Sequence, residues 1–228
     1  MNKVITSTQY NRPQYTKQML EHLSRCEGIG EYTLVACVDP SDCTDVIVSL
    51  LKESTFLSDI IVNVNDTKLG CNTNTMKALY CGTKRSDVIL HVEDDIILSR
   101  DALLKYEQWA NENNSDFSFS LYSRINKSEY RPEMINDILS RPGFIPWGFG
   151  IREWGFEKAL ENKCFNVAQP YVSWDIAIHH MCQYKNFNNR FTYLSRAQNI
   201  GAEFGTHVPS IEFHKEHQLL DFWAGDLE

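Results

Sequence analysis

The chain has 228 residues and a formal net charge of −8, because 30 acidic residues outnumber 22 basic ones. This balance argues against a broad footprint on nucleic-acid phosphates, although it is compatible with a local basic groove. Hydrophobic residues make up 43% of the chain and aromatic residues 12%. That composition excludes a disordered chain and predicts one globular domain with a sizeable core.

Strand and helix patterns alternate along the first 121 residues. β-branched, apolar runs predict strands at 4–8, 32–38, 59–64, 87–92 and 117–121. Apolar residues at helical spacing predict helices that begin at Pro13, cover 46–51, follow Gly70 and cover 101–110. This order predicts an α/β fold with a mostly parallel, Rossmann-like sheet flanked by helices. In such sheets ligands bind beyond the carboxyl ends of the strands.

The most distinctive motif is the acidic triplet Glu93-Asp94-Asp95, which follows a predicted buried strand. Adjacent carboxylates repel one another and cost free energy to desolvate. Mg²⁺ or Mn²⁺ removes this cost, since either ion takes carboxylate oxygens and leaves positions for water and phosphate. Asp95 is the best candidate metal ligand, and Glu93 is expected to face the same way. The alternative is a solvated acidic turn before a helix, and for Asp94 a capping role is equally compatible with the sequence.

Residues 122–146 are less regular than the first half. They carry four basic residues and three prolines, so we predict a long, partly mobile loop. Beyond it, the patterns predict a helix at 153–161, a helix opened by Trp174-Asp175 and a short strand at 191–194. No internal repeat or linker separates the two halves, so we expect them to share one site. Near the end, His214 and His217 are interpreted as surface residues.

Four further residues are candidates for chemistry. Asp39 ends a predicted strand, where it would accept hydrogen bonds from a base or ribose, or form a turn. Arg12 can reach a phosphate or be solvated. Asp175 is either a first-turn helix residue or a general base facing a cleft. His207, in the glycine-containing closing segment, is a candidate metal ligand or phosphate contact. The sequence carries neither a P-loop nor a dinucleotide-binding glycine motif.

Seven cysteines are spread along the chain, and none forms a C-x-x-C pair. This spacing argues against a zinc site, and several of the thiols fall in apolar patterns. The N-terminal residues show no signal-peptide core, and no apolar run approaches the roughly 20 residues that span a bilayer. We therefore expect a cytoplasmic protein with no stable membrane insertion.

In order along most of the chain, these segments resemble the GT-A glycosyltransferases, and within them N-acetylglucosaminyltransferase I and related enzymes. The resemblance is carried by the opening strand with its Arg-Pro turn (4–13), Asp39, the Glu-Asp-Asp variant of the DxD motif at 93–95, Trp147-Gly148-Phe149-Gly150, Trp174-Asp175 and the closing Ser-Arg and glycine segment (195–205).

The resemblance implies a nucleotide-sugar donor, with a UDP-sugar favoured, and a Mn²⁺ or Mg²⁺ ion on its diphosphate. It implies a nucleotide-sugar-binding half at 1–121 and an acceptor-binding, catalytic half at 122–228 of the same GT-A domain. Asp95 and His207 are expected to bind the metal, and Asp175 to deprotonate an acceptor hydroxyl with inversion at the anomeric carbon. The expected donor contacts are Thr6, Arg12, Asp39, Asn74, Glu93 and Asp94.

The acceptor stays open among a glycan, a lipid-linked sugar, a protein and a modified nucleobase. The last would suit a phage-type enzyme that uses a hydroxymethylated base, for which the basic residues of 124–141 would supply a local phosphate track. The lack of an anchor and stem suggests a bacterial or viral source. Two other readings are a nucleotidyltransferase on a similar sheet and a non-catalytic module that binds nucleotide sugars or glycans. The oligomeric state is not indicated.

Overall fold

The computed structural model describes residues 2–112, 115–166, 173–202 and 210–228. The strands of this part of the chain are β1 (Lys3–Gln9), β2 (Tyr32–Val38), β3 (Asp59–Val64), β4 (Val88–Glu93), β5 (Ile96–Leu98), β6 (Ser118–Ser120), β7 (Ile138–Arg141), β8 (Phe149–Arg152), β9 (Asn189–Thr192) and β10 (Ala197–Asn199). The α-helices are α1 (Pro13–Leu23), α2 (Thr44–Lys52), α3 (Gly70–Thr83), α4 (Ala102–Asn111), α5 (Glu153–Glu161), α6 (Trp174–Lys185) and α7 (Ile211–His217). In these ranges, no helix combines the length and apolar character needed to cross a bilayer.

Eight strands form one sheet in the order β3-β2-β1-β4-β8-β6-β9-β7. The first four strands of that order pair in parallel. Strand β8 runs antiparallel to both β4 and β6, and β7 runs antiparallel to β9. The predicted α/β fold, with a mostly parallel sheet flanked by helices in a single domain, is confirmed.

The sheet is buried on both faces. Alternate residues of β4 point to opposite sides, so Leu90 joins the core that contains Met19 of α1, whereas Ile89 joins the core that contains Leu79 of α3. Burial on both faces explains why the parallel strands are almost continuous apolar runs in the sequence. Because apolar packing fills both faces, charged groups of these strands collect at the strand ends.

A separate two-stranded ribbon joins the acidic triplet to the closing segment. β5 pairs antiparallel with β10, and the pairing brings Ile96 opposite Asn199. Directly beside the ribbon, the backbone N–H of Ile200 donates to the carbonyl oxygen of Asp95 at 2.9 Å. Neither strand was predicted, because each is three residues long and gains its partner only from the distant chain segment.

The segment 122–146, predicted as a long, partly mobile loop, is mostly irregular. The prediction is wrong for 138–141, which form β7 and pair with β9 at the edge of the sheet. Arg124 donates to the carbonyl oxygens of two residues near the end of α7. The guanidinium of Arg141 lies 5.3 Å from the centre of the Phe191 ring. Both arginines therefore serve contacts within the protein, which weakens the idea of a phosphate track at 124–141.

The interpretation of His214 as a surface residue is also wrong. Its side chain is 2% exposed, and its Nδ1 lies 2.8 Å from Oε1 of Gln218. The chain turns back after α7, so the N–H groups of Gln218 and Leu219 both donate to the His214 carbonyl oxygen. His217 is exposed, as expected.

Candidate functional site

The acidic triplet lies where three parallel strands end together. In the sheet register, Thr8 of β1 pairs with Glu93 of β4 and with Cys37 of β2. A cavity of about 170 Å³ opens at this edge, lined by the ends of β1 and β4, the loop before α1, Asp39 and the first turns of α3. A larger groove of about 470 Å³ lies at the other end of the parallel strands, where β1, β2 and β3 begin, and none of the candidate site residues lines it.

Arg12 contacts two of the three carboxylates in the triplet. Its Nη2 lies 2.5 Å from Oδ1 of Asp94, and its Nη1 lies 2.9 Å from Oδ2 of Asp95. The three side chains are between 5% and 14% exposed, so solvent screens the pairs only in part. The structure therefore brings Arg12, Asp94 and Asp95 together, a pairing that the sequence analysis did not predict.

Glu93 and Asp175 meet on the other side of the triplet. Burial raises the pKa of Glu93 well above its ordinary value, and the negative charges of Asp95, Asp175 and Asp94 raise it further. Asp175 lies in the first turn of α6 and accepts a hydrogen bond from the Ser173 hydroxyl rather than capping the helix backbone. This group of carboxylates is the concentration of negative charge that a bound cation would relieve.

The start of α6 is joined to the start of α3. The backbone N–H of Trp174 donates to Oδ1 of Asn72 at 3.2 Å. This bond between two helix starts places Asp175 beside Glu93 although the two residues are far apart in the sequence.

Cys71, in the first turn of α3, is a site residue that the sequence analysis missed. It lines the cavity. The residue as a whole is exposed, but local burial of its thiol, followed by the charge of Glu93, raises the pKa of the thiol to about 12. Its place directly after Gly70, where a predicted helix starts, was the only signal in the sequence.

Asp39 and Asn74 reach the cavity, but both also hold the loop before α3. Asp39 accepts hydrogen bonds from the side chain of Asn65 and from the backbone N–H groups of Leu69 and Gly70. Asn74 accepts from Asn65 as well, and donates to the Cys37 carbonyl oxygen. The described residues thus occupy three of roughly four acceptor positions on the Asp39 carboxylate, which leaves one for a ligand.

We expect Asp39→Asn to lower the free energy of unfolding by about 1–3 kcal/mol, because the amide group turns a donor toward N–H groups that need an acceptor. Denaturant unfolding measures this effect, and Asp42→Asn, at an exposed neighbour, is the control. A stability equal to that of the wild type would contradict the supporting role of the Asp39 hydrogen bonds.

One predicted site residue is not brought to the cavity. Thr6 lies inside β1, is fully buried, and places its Oγ1 2.9 Å from Nδ1 of His91. It lies two residues before Thr8, about 6–7 Å deeper in the strand, and Thr8 lines the cavity in its place. His207 lies outside the described residues, so its predicted role as a metal ligand stays a prediction.

The described residue that would hold a divalent cation directly is Asp95, since both carboxylate oxygens of Asp94 accept hydrogen bonds from Arg12. Within the described ranges, no group of three or more histidine, cysteine or acidic side chains is arranged to hold a metal by itself. The donor set therefore fits a hard cation that takes one or two carboxylates from the protein and its other ligands from water and phosphate. Magnesium and manganese both bind in this way.

Gly201 packs directly against the candidate metal ligand. A Cβ atom at position 201 would lie within contact distance of the Asp95 carboxylate and displace it. We expect Gly201→Ala to weaken binding of Mn²⁺ roughly 10–100-fold, the usual cost of disturbing the group that orients a ligand. Calorimetry measures this, with Gly30→Ala as control, since a Cβ at 30 meets only Phe56 O at 3.8 Å. Unchanged affinity would show that Asp95 can shift without consequence.

No protein-family model matches the chain, and no curated protein matches its sequence. Solved structures do share its fold. The structure of S. aureus TarS 1–349 in complex with UDP aligns with a TM-score of 0.61 at 16% identity, over 86% of this chain and 60% of that one. Mannosyltransferase PcManGT from Pyrobaculum calidifontis, in complex with GDP-Man and Mn²⁺, gives 0.51 at 13% identity, over 70% of this chain and 46% of that one. A cytidylyltransferase from Leptospira borgpetersenii gives 0.52 at 11% identity, over 85% and 76%.

At these identities the likeness shows the fold alone. TarS and PcManGT are glycosyltransferases, and the present chain has the same α/β architecture with a mostly parallel sheet flanked by helices. The chain spans 60% of the length of the TarS 1–349 structure. A more specific likeness to N-acetylglucosaminyltransferase I stays a prediction.

Proposed function

We propose that this protein is a metal-dependent glycosyltransferase that moves a sugar from a nucleoside diphosphate sugar to an acceptor hydroxyl, with inversion. The observation that carries the proposal is the meeting of Glu93, Asp94, Asp95 and Asp175 at one cleft. In this cleft the acidic triplet ends a parallel strand, and Asp175 comes from the other half of the domain. The fold shared with TarS and PcManGT supports this assignment.

The donor is proposed to be a UDP-sugar held mainly by residues 1–121. TarS binds UDP and UDP-GlcNAc in its complexes, and PcManGT binds GDP-Man with Mn²⁺. The remaining acceptor position of Asp39 suits an N–H group such as that of uracil N3, since an ionised carboxylate only accepts hydrogen bonds. Arg12 and the first turns of α3 border the same cavity, where a diphosphate would lie.

The chemistry follows from the charges in the cleft. Departure of a nucleoside diphosphate creates negative charge, and a divalent cation on Asp95 would stabilise that charge electrostatically. Asp175 is proposed to accept the proton of the acceptor hydroxyl, because its charge lies near enough to Glu93 to raise the pKa of that carboxyl group.

Residues 122–228 are proposed to bind the acceptor. A glycan, a lipid-linked sugar, a protein and a modified nucleobase all carry a suitable hydroxyl. The likeness to a cytidylyltransferase supports one rival, a nucleotidyltransferase that would release pyrophosphate from a nucleoside triphosphate.

A thermal-shift screen tests the proposed glycosyltransferase function and distinguishes it from a nucleotidyltransferase. UDP with Mn²⁺ should raise the melting temperature more than either alone, because ligands that bind the native state stabilise it by mass action. In the presence of Mn²⁺ the protein should then hydrolyse UDP-sugars slowly, with water as the acceptor of the sugar and UDP as the released product. A response to nucleoside triphosphates with pyrophosphate release would favour the nucleotidyltransferase, and no response to any nucleotide would refute both.

A further inference from the structure

The guanidinium of Arg12 lies against the acidic triplet. Contacts other than those with the carboxylates also hold this residue in place. Its carbonyl oxygen accepts hydrogen bonds from the backbone N–H groups of Tyr15 and Thr16 at 3.0 and 3.1 Å. Its guanidinium lies 5.2 Å from the centre of the Tyr15 ring. The arginine is therefore anchored at the start of α1, and its charged end has little freedom to leave the cleft.

The two contacts of Arg12 with the triplet are unequal. Asp94 receives two hydrogen bonds, from Nη2 at 2.5 Å and from Nε at 3.3 Å. Asp95 lies 2.9 Å from Nη1, yet among the described residues that buried nitrogen makes no hydrogen bond of normal geometry. The Asp94 pair is directed and bidentate, whereas the Asp95 contact is a charge contact without good alignment. The Asp95 contact is the one that another cation can replace more easily.

Asp95 stays in place even if the Arg12 guanidinium moves, because contacts with the closing segment fix its position. Its carbonyl oxygen accepts the Ile200 N–H at 2.9 Å, and its carboxylate packs against Gly201. Asp95 therefore stays in the turn before β5 whichever cation it faces.

We propose that Arg12 is the resident counter-ion of Asp95 in the metal-free protein and competes with the divalent cation for that carboxylate. This rests on the function proposed above, in which Asp95 is the metal ligand. A divalent cation would replace Nη1 of Arg12 at Asp95, while the bidentate pair would keep the guanidinium on Asp94. A cation would then bind weakly by itself and tightly when a diphosphate supplies further oxygen ligands.

Titration calorimetry with MnCl₂ alone tests the competition. Arg12→Gln should bind Mn²⁺ at least about tenfold more tightly than the wild type, since no charged contact has to be displaced. Arg12→Lys keeps the charge but cannot bridge both carboxylates, so its affinity should lie between the two. Arg100→Gln, at an exposed arginine paired with Glu27, is the control and should bind like the wild type.

Thermal melting provides a second measurement that does not depend on activity. In EDTA, Arg12→Gln should melt below the wild type because Asp94 and Asp95 lose their counter-ion, and Mn²⁺ should raise its melting temperature more than that of the wild type. If Arg12→Gln does not fold, Arg12→Lys carries the same comparison.

Equal or weaker Mn²⁺ affinity in both Arg12 variants, including no detectable binding in either, would overturn the counter-ion role. The wild type titrated with UDP in the presence of Mn²⁺ tests the proposed function separately. If that binding fails while the variants still gain Mn²⁺ affinity, the counter-ion role stands and the donor assignment is wrong.

Discussion

Asp175→Asn is expected to lower kcat by roughly 10²–10⁴-fold, because the amide cannot accept the proton of the acceptor hydroxyl. Stability should change little, since Asp175 bonds to the Ser173 hydroxyl and does not cap the backbone of α6. Binding of UDP with Mn²⁺ should be unaffected, because this residue approaches the cleft from the acceptor side. Sugar-transfer kinetics, thermal melting and calorimetry measure the three properties.

Asp45→Asn is the matched control for this variant. Asp45 is the second residue of α2, as Asp175 is of α6, but Asp45 is exposed and remote from the cleft. Its replacement should leave both transfer and melting as in the wild type. An Asp175→Asn protein that keeps most of its transfer rate would refute the base role and would leave a retaining mechanism or another base to be considered.

Asp95→Ala should abolish Mn²⁺-dependent binding of the donor nucleotide while the protein remains folded. Asp95 is the carboxylate that the β5–β10 ribbon holds at the cleft, so its loss removes the main protein ligand of the cation. The free energy of unfolding should change little, because Arg12 keeps its bidentate pair with Asp94. The lost contact with Arg12 is offset by weaker repulsion of Glu93.

Calorimetry of UDP with and without Mn²⁺ measures the Asp95→Ala effect, and circular dichroism confirms the fold. Asp87→Ala, at the exposed residue just before β4, is the control at the opposite end of the same strand. If Asp95→Ala keeps the wild-type dependence on Mn²⁺, the acidic triplet is not the metal site, and the solvated-turn interpretation gains support.

Local patterns were sufficient to predict the parallel half of the fold. The strands at 32–38 and 59–64 have the predicted limits, and α6 begins at Trp174 as predicted. Strands buried on both faces and helices with apolar spacing carry their own signal, because each pattern arises from residues close together in the sequence. The placement of Asp39 and Glu93 at one edge of the sheet follows from the same parallel order.

Local sequence patterns could not predict the short strands or the pairing of strands that are far apart in the sequence. β7 and β10 are three or four residues long, and each depends on a partner from another part of the chain. The depth of Thr6 within β1 and the burial of His214 likewise depend on what packs over them.

The amino-acid sequence therefore determined the class of fold, the acidic triplet and the residue types available at the strand ends. Tertiary structure alone decided which of those residues meet. It brought Asp175 to Glu93 through the contact between the starts of α3 and α6, set Arg12 on Asp94 and Asp95, and packed Gly201 against the Asp95 carboxylate. The physical reason is that local propensity acts over a few residues, whereas charge pairing and packing act between segments that only the folded chain brings together.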